Sequence, residues 1–500
     1  MKISYSSEPL EKLKTELLAI GLFEEEPLHA DARKLDLALD HAITNVLKAK
    51  DFKGESSETY ILNTNGKTSA KRVLLVGLGK KKEFEIDTAR QAAAITVQTA
   101  ISHNLTSLAA SVFGAGVKGP TSLLAAAIAE GVILGSYSFK TFKSKKKDEG
   151  KAIEELTLAY SDKAELAKFK EPTEQARVLS EIINHCRELQ NLPPNIATPE
   201  YIGKEAEKLA NKYKFKATVH DKKGIEKLGF NALLAVNSGS AKEPRFIVLE
   251  HRGKSTSGAP ICLVGKTITF DSGGLNIKVG DFMTNMKFDK CGGIDVLGTV
   301  AAAAALDLPV HVIGLMPATE NLPSGSAYKV GDIYTAYNGK TMEIGNTDAE
   351  GRVILSDALA YTKTFKPKAV IDLATLTGAC SVALGVHAAG LMGNNEKLIS
   401  KVKDAAAHTG ERVWELPMFK EYNDIIKSEV ADVKNIGDGT AGTITAAKFL
   451  ENFIPDDTAW AHLDIAAVAW TEKGKVKPYY GKGATGFGIR LLIELLKNMK

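Results

Sequence analysis

Short apolar runs alternate with longer helical patterns through the C-terminal part of this 500-residue chain. The apolar runs cover 246–250, 261–264, 310–315 and 369–373, and the helical patterns lie near 294–305, 352–364 and 485–496. Strands that are apolar on both faces are typical of parallel sheets, which have helices on either side. The alternation therefore predicts an α/β fold with a mostly parallel central sheet.

The N-terminal part repeats this pattern on a smaller scale. Strands are expected at 59–62, 72–76 and 156–160, and helices where apolar residues recur at helical spacing, at 35–47 and 88–101. A chain of this length exceeds one typical hydrophobic core. We predict an N-terminal α/β domain at 1–170 with an oligomeric or regulatory role, a linker helix at 171–190 stopped by the prolines that follow, and a larger C-terminal domain at 191–500.

One heptad carries an unusual density of charge, Asn346-Thr347-Asp348-Ala349-Glu350-Gly351-Arg352. Its small residues allow the chain to turn, so that Asp348 and Glu350 can point at one place. Two convergent carboxylates suit a divalent cation. A solvated loop of mixed charge is the alternative, because short motifs discriminate loosely.

A second segment supplies further charged groups where an apolar strand runs into a Gly-rich loop. It reads VGKTITFDSGGLNIK from Val264 and MKFDKCGG from Met286, and it contains Lys266, Asp271, Lys278 and Asp289. Functional groups tend to lie at such strand ends. With the heptad, the candidate carboxylates become four. Buried together they would repel one another unless cations neutralised them, and two divalent ions would do so.

These motifs, in this order and spacing, closely resemble the M17 leucyl aminopeptidases, which are two-metal exopeptidases. Further matching segments continue to the C-terminus, at 431–435, 441–447, 460–466 and 484–486, so the resemblance covers about residues 170 to 500. It implies that 191–500 is the catalytic domain. It also implies five metal ligands, with Asp271 and Glu350 bridging two ions: Lys266, Asp271, Asp289, Asp348 and Glu350.

Three cationic residues have roles that the resemblance implies. Lys266 would ligate as a neutral amine, which requires a pKa far below the free value of about 10.4; an ordinary salt-bridged lysine is the alternative. Lys278 would donate to the scissile carbonyl oxygen. Arg352 would hold a bicarbonate that acts as general base, since its planar fork matches such an anion. Simple charge balance against Asp348 is the alternative for Arg352.

The resemblance implies release of the first residue of a peptide with a free N-terminus, preferably Leu or another apolar residue. Matching positions place Met286, Thr375, Gly378 and Ala467 around the first side chain, although Met286 is equally plausible as core filler. Mn²⁺ or Zn²⁺ is expected in the two sites. Family members form hexamers, so a homohexamer is expected as well.

This chain departs from the family pattern after Asp289. Lys290 and Asp295 replace an apolar and a small residue and add charge near a ligand, so metal affinity or pH optimum is expected to differ. Cys291 is expected to be a buried, inert thiol, and His387 and His462 are expected to be core histidines. Gly265-Lys266-Thr267 is not a P-loop, because Pro260 stands where its first glycine belongs. Gly77-Leu78-Gly79 lacks a third glycine and predicts only a tight turn.

Composition excludes several classes of protein. Charged residues make up 25% and the net charge is +4, so neither a nucleic-acid partner nor an acidic membrane surface is favoured. The charge-free stretch 373–393 is rich in glycine and is predicted as strand, turn and strand rather than a membrane span. Scattered cysteines and an N-terminus without an apolar signal segment favour a cytoplasmic protein.

The alternative function is a DNA-binding architectural or regulatory protein with incidental peptidase activity. The basic stretch 139–148 is the feature closest to a nucleic-acid contact, and a solvated loop is the preferred interpretation of it.

Overall fold

The computed structural model describes residues 1–144, 151–254, 256, 258–472 and 476–499. The chain divides into two compact units. The first contains Met1–Asn184 together with the short helical turn Pro478–Tyr480, and the second contains the charged motifs at 264–293 and 346–352. The helix predicted at 171–190 spans Lys170–Asn191, and the division between the units falls within it, after Asn184.

The first unit is built around a six-stranded sheet in the described residues. Its strands are β1 (Lys2–Ser6), β2 (Leu17–Leu22), β3 (Thr59–Asn63), β4 (Arg72–Gly77), β5 (Ser107–Ser111) and β6 (Glu155–Ala159). They lie in the order β1-β6-β5-β2-β4-β3, and all pairs are parallel except β3 with β4. The α/β prediction for this part of the chain is confirmed.

Helices cover both faces of this sheet. They are α1 (Ala30–Ala38), α2 (Ala42–Ala49), α3 (Ile86–Ser102), α4 (Thr121–Gly135), α5 (Lys163–Ala167) and the start of α6 (Lys170–Asn191). Alternate residues of β2 enter two different cores, Leu17 in one and Leu18 in the other. The pattern at 35–47 is two helices rather than one, because Asp40 and His41 adopt left-handed backbone angles between them.

The second unit has a nine-stranded main sheet and two small ones in the described residues. Its strands are β7 (Lys216–His220), β8 (Arg245–Arg252), β9 (Ile261–Gly265), β10 (Thr267–Asp271), β11 (His311–Asn321), β12 (Ile333–Thr335), β13 (Thr341–Glu343), β14 (Ala369–Ala374), β15 (Ala389–Gly393), β16 (Val413–Glu415), β17 (Val433–Lys434), β18 (Ala459–Asp464), β19 (Trp470–Thr471) and β20 (Gly483–Ala484).

The main sheet has the order β16-β15-β18-β14-β9-β11-β8-β7, with β10 attached to β11. Its centre is parallel, because β9 pairs in parallel with both β11 and β14, and β14 with β18. Antiparallel pairs occur toward the edges, where β8 lies beside β11 and β15 beside β18. The mostly parallel central sheet is therefore confirmed.

Ten further helices are described in this unit. They are α7 (Pro199–Tyr213), α8 (Lys222–Leu228), α9 (Asn231–Asn237), α10 (Cys291–Ala305), α11 (Glu350–Tyr361), α12 (Gly378–Leu384), α13 (Glu396–Thr409), α14 (Tyr422–Ile425), α15 (Gly442–Glu451) and α16 (Ile489–Lys497). The helix predicted at 485–496 begins only at Ile489, since Gly486 and Gly488 have φ of 67° and 103°. The stretch 373–393 is strand, helix and strand, because α12 occupies the predicted turn.

Within the described residues, no helix combines the length and apolar character needed to cross a membrane. The basic stretch 139–148 is described only as far as residue 144, so the rest of that predicted loop lies outside the described residues.

Candidate active site

The charged motifs converge at the carboxyl ends of the central parallel strands. Asp271 is the last residue of β10 and Asn321 the last of β11, while Lys266 follows β9 and Thr375 follows β14. Because these strands run in parallel or lie side by side, their ends meet at one edge of the sheet, where α/β proteins usually bind ligands.

Three carboxylates from different parts of the chain form a cluster at this edge. Asp271, Asp348 and Glu350 each offer an oxygen, and these oxygens all lie within 4.8 Å of one another. Asp348 lies in the helical turn Thr347–Ala349, and Glu350 begins α11 directly after it. Two acids that are two residues apart can converge here because a helical turn separates them. It changes the backbone direction between them.

Lys266 joins the cluster to a fourth carboxylate. Its Nζ lies 2.9 Å from an oxygen of Asp289 and 2.9 Å from an oxygen of Glu350, and it donates to the carbonyl of Thr375 at 2.8 Å. Burial alone would lower the pKa of this ammonium, but the attraction of Asp289, Glu350 and Asp271 outweighs burial and raises the pKa. In this structure the lysine is therefore salt-bridged.

Lys278 approaches the same cluster from the Gly-rich loop. Its Nζ lies 2.9 Å from Asp271 and 2.6 Å from Asp348. Burial again opposes the charged form, yet attraction by Asp271, Glu350 and Asp348 raises the pKa of this ammonium. Lys278 is thus a charged donor at the edge of the carboxylate cluster.

The crowded acids have raised pKa values. Burial and then repulsion by Asp271 raise the pKa of Asp348 to about 6 and that of Glu350 to about 7. Burial also raises the pKa of Asp289, against the attraction of Lys266. Close carboxylates resist ionising together, so this cluster favours additional positive charge.

The donor set fits divalent cations. Four carboxylates face two lysines, which leaves the cluster with an excess of negative charge. Oδ2 of Asp289 is buried and has no hydrogen-bond partner among the described residues, although buried oxygens are normally paired. An oxygen-rich set with one unpaired buried oxygen is the kind of site that Mg²⁺, Mn²⁺ or Zn²⁺ occupies.

Asn321 is a component of the site that the sequence interpretation missed. Its buried amide nitrogen donates to Asp271 at 2.8 Å and to the carbonyl of Thr347 at 3.0 Å, and it lies 3.4 Å from Glu350. It therefore connects the strand that carries Asp271 to the turn that carries Asp348 and Glu350. The sequence signal for Asn321 was only its position at the polar end of the long apolar run that forms β11, and this signal alone does not predict a site residue.

Thr347 holds the Gly-rich loop against the same turn. Its hydroxyl donates to the carbonyl of Gly273 at 2.8 Å, and the backbone N–H of Asn276 donates to that hydroxyl at 2.8 Å. The carbonyl oxygen of the Asn276 side chain in turn accepts from the N–H of Thr347. Gly273 has φ of 88°. A Cβ there would lie 2.3 Å from the backbone carbonyl oxygen of Asn276, so glycine is required.

Arg352 lies buried in the first turn of α11. One guanidinium nitrogen donates to the carbonyl of Asn435 at 2.8 Å, while its Nε has no hydrogen-bond partner among the described residues. No described carboxylate forms a salt bridge with it, so the pairing with Asp348 that the sequence left open is absent from the described ion pairs. Burial lowers the pKa of this guanidinium to about 10. The unpaired Nε is suited to an anion.

A cavity of about 500 Å³ opens beside the cluster. Lys266, Asp271, Lys278, Asp289, Asp348 and Glu350 line it, together with the predicted pocket residues Met286, Thr375 and Gly378. Ala466 is among its described lining residues and Ala467 is not; Ala467 is buried. Arg352 is likewise outside the lining. The structure thus brings together the predicted cation-binding groups and three of the four predicted pocket residues.

The two departures from the family pattern point away from the cluster. Lys290 is fully buried and donates to the carbonyls of Lys287 at 2.5 Å and Leu192 at 3.3 Å, and burial lowers the pKa of this ammonium to about 7. Asp295 accepts a hydrogen bond from Gln190 at 2.6 Å. Both residues fasten the start of α10 to the segment around 190.

Other sequence expectations have mixed outcomes. Cys291 is buried, and burial raises its thiol pKa, as expected of an inert cysteine. His462 is fully buried and its Nδ1 lies 2.6 Å from Asp372. His387 is exposed on the segment after α12, so the prediction of a core histidine there was wrong.

Two family models match the chain. The catalytic domain of the cytosol aminopeptidase family matches residues 184–493, and the N-terminal domain of the same family matches residues 19–146. A probable cytosol aminopeptidase of Geobacter sp. (strain M21) is 46% identical over 99% of this chain and all of that protein. One from Roseiflexus castenholzii is 42% identical over 97% of this chain and 96% of that protein.

Solved structures of similar fold include two enzymes. A mutant of tomato leucine aminopeptidase superposes with a TM-score of 0.89 at 32% identity, covering the whole of this chain and 96% of that one. The bottromycin maturation enzyme BotP in complex with Mn superposes with a TM-score of 0.85 at 30% identity, covering 97% of this chain and 99% of that one.

Proposed function

The chain belongs to the cytosol aminopeptidase family and is a peptidase, and from that premise we propose that it is a two-metal aminopeptidase that prefers an N-terminal leucine or another apolar residue. Its substrates are peptides with a free N-terminus. The observation that carries the metal requirement is the cluster of buried Asp271 and Glu350 with half-buried Asp348, whose oxygens lie within 4.8 Å of one another, beside the unpaired oxygen of Asp289.

Five residues would hold the cations, namely Lys266, Asp271, Asp289, Asp348 and Glu350. Divalent ions, when bound, would polarise the scissile carbonyl and bring the pKa of a water molecule near neutrality. Lys266 is paired with carboxylates here and charged. A divalent cation beside it would repel the ammonium and lower its pKa, and ligation of that cation would require the neutral amine.

Lys278 stabilises the charge that develops on the substrate. It is paired with Asp271 and Asp348 on the wall of the cavity, where its ammonium would donate to the oxygen of a scissile carbonyl. A donor that is already in place stabilises an oxyanion without reorganisation. The carboxylates keep Lys278 protonated, which this role requires.

Arg352 is the candidate holder of a bicarbonate, which would supply a general base when bound. The support is its buried, unpaired Nε and the absence of a carboxylate partner among the described ion pairs. A planar guanidinium binds a planar oxyanion through two parallel hydrogen bonds. Asn435 fixes the orientation of the guanidinium through its carbonyl oxygen.

The walls of the cavity account for an apolar first residue. Met286, Thr375 and Gly378 leave a mixed small and apolar surface, to which Phe282 and Phe288 add aromatic side chains. Burying a leucine side chain there would contribute about 1.5–3 kcal/mol. Discrimination among apolar residues is expected to be modest, since one methylene is worth about 1–3 kcal/mol.

Three further features belong to this proposal. Manganese or zinc is proposed for the two cation sites, supported by carboxylate-rich donors and by the manganese complex of BotP. A homohexamer is proposed, and the catalytic unit exposes large apolar side chains such as Val382 and Trp414 that an assembly would cover. A cytosolic location is proposed from the names of the relatives.

The decisive experiment measures leucine release from a leucyl anilide by the purified protein after chelation and after readdition of Mn²⁺ or Zn²⁺. Metal is expected to restore activity, and Asp271→Ala is expected to abolish the restoration. Asp281→Ala is the matched control, because it removes an exposed carboxylate from the same segment. A metal-loaded wild type that is inert on leucyl, methionyl and other apolar substrates would disprove the proposal.

A second experiment tests the preference for the first residue of the substrate. Rates on leucyl, methionyl, alanyl and lysyl anilides are compared for the wild type and Met286→Ala. Loss of apolar wall should lower kcat/KM for leucyl far more than for alanyl substrate, because only the longer side chain reaches the wall. An unchanged ratio would remove Met286 from the pocket.

A further inference from the structure

The N-terminal unit contains a glycine motif that the proposed peptidase activity does not use. Gly114-Ala115-Gly116-Val117-Lys118-Gly119 has the pattern G-x-G-x-x-G, and it connects β5 directly to α4. The next strand, β6, lies beside β5 in parallel, so the motif occupies the first loop of a βαβ unit. This is the context in which such loops bind phosphate groups, whereas the isolated pattern is weak.

The backbone of the loop requires its glycines. Gly114, Gly116 and Gly119 have φ of 72°, 78° and 68°, a region that other residues rarely adopt. A Cβ on Gly114 would lie only 2.0 Å from the ring of Phe84, whereas one on Gly116 would meet no atom within 4 Å. The loop is therefore tightly packed at Gly114 and open at Gly116.

The loop borders a cavity of about 350 Å³ at the carboxyl end of the sheet. The sheet order places β5 next to β2, and the chain leaves these two strands toward opposite edges. Such a switch point is where open α/β sheets bind ligands. The volume falls in the range of about 300–1,000 Å³ that small-molecule sites occupy.

Two polar groups at the floor of the cavity are unpaired. Ser111, the last residue of β5, is 8% exposed, lines the cavity and has no hydrogen-bond partner for its hydroxyl among the described residues. Gly114 is buried, also lines the cavity, and donates its N–H to no described acceptor. Neither group is engaged by a described protein partner, so both are available to an oxygen-bearing ligand in the cavity.

The outer part of the cavity is lined by acidic side chains. Glu8 and Asp31 line the entrance from two different segments, and Lys81 there is already paired with Glu26 at 3.5 Å. Carboxylates accept hydrogen bonds from hydroxyl and amino groups and repel anions. A ligand that fits both ends has phosphate oxygens at the floor and a sugar or base that donates at the rim.

We propose that this cavity binds a nucleotide, with a phosphate at the Gly114–Gly119 loop and Ser111 and the nucleoside toward Glu8 and Asp31. At the carboxyl end of β6, where a dinucleotide site has its ribose-binding acid, the described cavity lining is Ala159, Tyr160 and Ser161, and the next acid, Asp162, caps α5 instead. A nucleoside mono- or diphosphate is therefore the ligand class, rather than a nicotinamide dinucleotide. The site is independent of the peptidase centre.

The test is calorimetric titration of the purified full chain with Mg-ADP, beside adenosine, inorganic pyrophosphate and leucine. Saturable binding of ADP is expected, with weaker binding of adenosine and pyrophosphate, since each retains only one end of the ligand. Ala115→Asp places a negative charge in the loop and should weaken ADP binding by about tenfold or more. Ser111→Val should weaken it by about tenfold, the loss of one hydrogen bond to a charged group.

Two controls locate the binding. Ser69→Asp adds the same charge just before β4, at the opposite end of the sheet, and should leave ADP affinity within about twofold of wild type. Asp271→Ala should also keep it, because that residue belongs to the peptidase centre. Leucyl anilide hydrolysis by Ala115→Asp should match wild type, which shows that the variant is folded.

Three results would overturn the proposal. They are the absence of ADP binding at millimolar concentration, ADP binding that Asp271→Ala abolishes, and ADP binding that Ala115→Asp and Ser111→Val leave unchanged. Binding of leucine in place of ADP, sensitive to Ala115→Asp, would keep the cavity but overturn the ligand class.

Discussion

The amide nitrogen of Asn321 lies 2.8 Å from a carboxylate oxygen of Asp271, and the same nitrogen reaches the turn that carries Asp348 and Glu350. One amide thus fixes the relative positions of acids that are almost eighty residues apart in the sequence. The four acids repel one another, so their geometry depends on such neutral and cationic anchors.

Asn321→Ala is expected to lower metal affinity and activity together, by about 10- to 100-fold, because residues that orient ligands typically have effects of this size. Metal titration by calorimetry and kcat measured at saturating Mn²⁺ would check this. Asn237→Ala is the matched control, since Asn237 is a buried amide that bonds to Thr319 and to none of the four acids. An Asn321 variant with unchanged metal affinity would argue for a merely structural amide.

Lys278→Gln is expected to reduce kcat by about 10²–10³-fold with a small change in KM, as for the loss of one oxyanion donor. The expectation follows from its place on the cavity wall between Asp271 and Asp348. Steady-state kinetics on leucyl anilide would measure it. Lys329→Gln, which removes an exposed lysine paired with Asp332, should have no effect. A change confined to KM would contradict the oxyanion role.

Bicarbonate dependence should disappear in Arg352→Gln. The wild type is expected to be slower in carbonate-free buffer and to recover when bicarbonate is added, because the anion would supply a general base worth about 10²–10⁴-fold. The variant should be slow in both buffers. The measurement is kcat against bicarbonate concentration at constant pH and ionic strength. Equal bicarbonate responses in the two proteins would exclude Arg352 as the holder.

Stability should fall as pH rises through the pKa of His462. Burial disfavours the imidazolium, but the Asp372 carboxylate at 2.6 Å outweighs burial and raises the pKa of His462. A group with a raised pKa in the folded state stabilises fully below its unfolded pKa of about 6.5, and this stabilisation is lost above its folded pKa.

His462→Gln is therefore expected to cost about 3–5 kcal/mol at pH 6, as for a broken buried ion pair, and less at pH 9. Urea unfolding at both pH values would give the two differences in free energy. His311→Gln, which removes a more exposed partner of Glu250, should cost under about 1 kcal/mol. If His462→Gln lowered the free energy of unfolding by the same amount at both pH values, a charged pair would be ruled out.

Light scattering after size exclusion should give six times the 53.6 kDa mass of one chain. The exposed apolar side chains Val382 and Trp414, at 89% and 66%, are typical of surfaces that an assembly covers. A mass that stays at one chain over a wide concentration range would contradict the hexamer.

The charged residues of the candidate site could be selected from the sequence by residue type, and their expected roles came from the resemblance to a known family. Lys266 and Asp271 lie where strands end, and Lys278 and Asp289 lie in the segment that follows. Asp348 and Glu350 lie in a heptad without large apolar side chains. Strand alternation likewise determined the parallel sheet, since both faces of a buried strand must be apolar. These features are local, so no knowledge of packing was needed to find them.

Other features depend on which segments meet in space, and only the tertiary structure decided them. Asn321 acquires its role because the end of β11 lies beside β10 and the turn at Thr347–Ala349. His387 is exposed on the segment between α12 and β15. The Gly114–Gly119 loop is significant only above a cavity at the sheet edge. Sequence records the chemical character of each residue, whereas a site also requires distances between residues far apart in the chain, which packing alone sets.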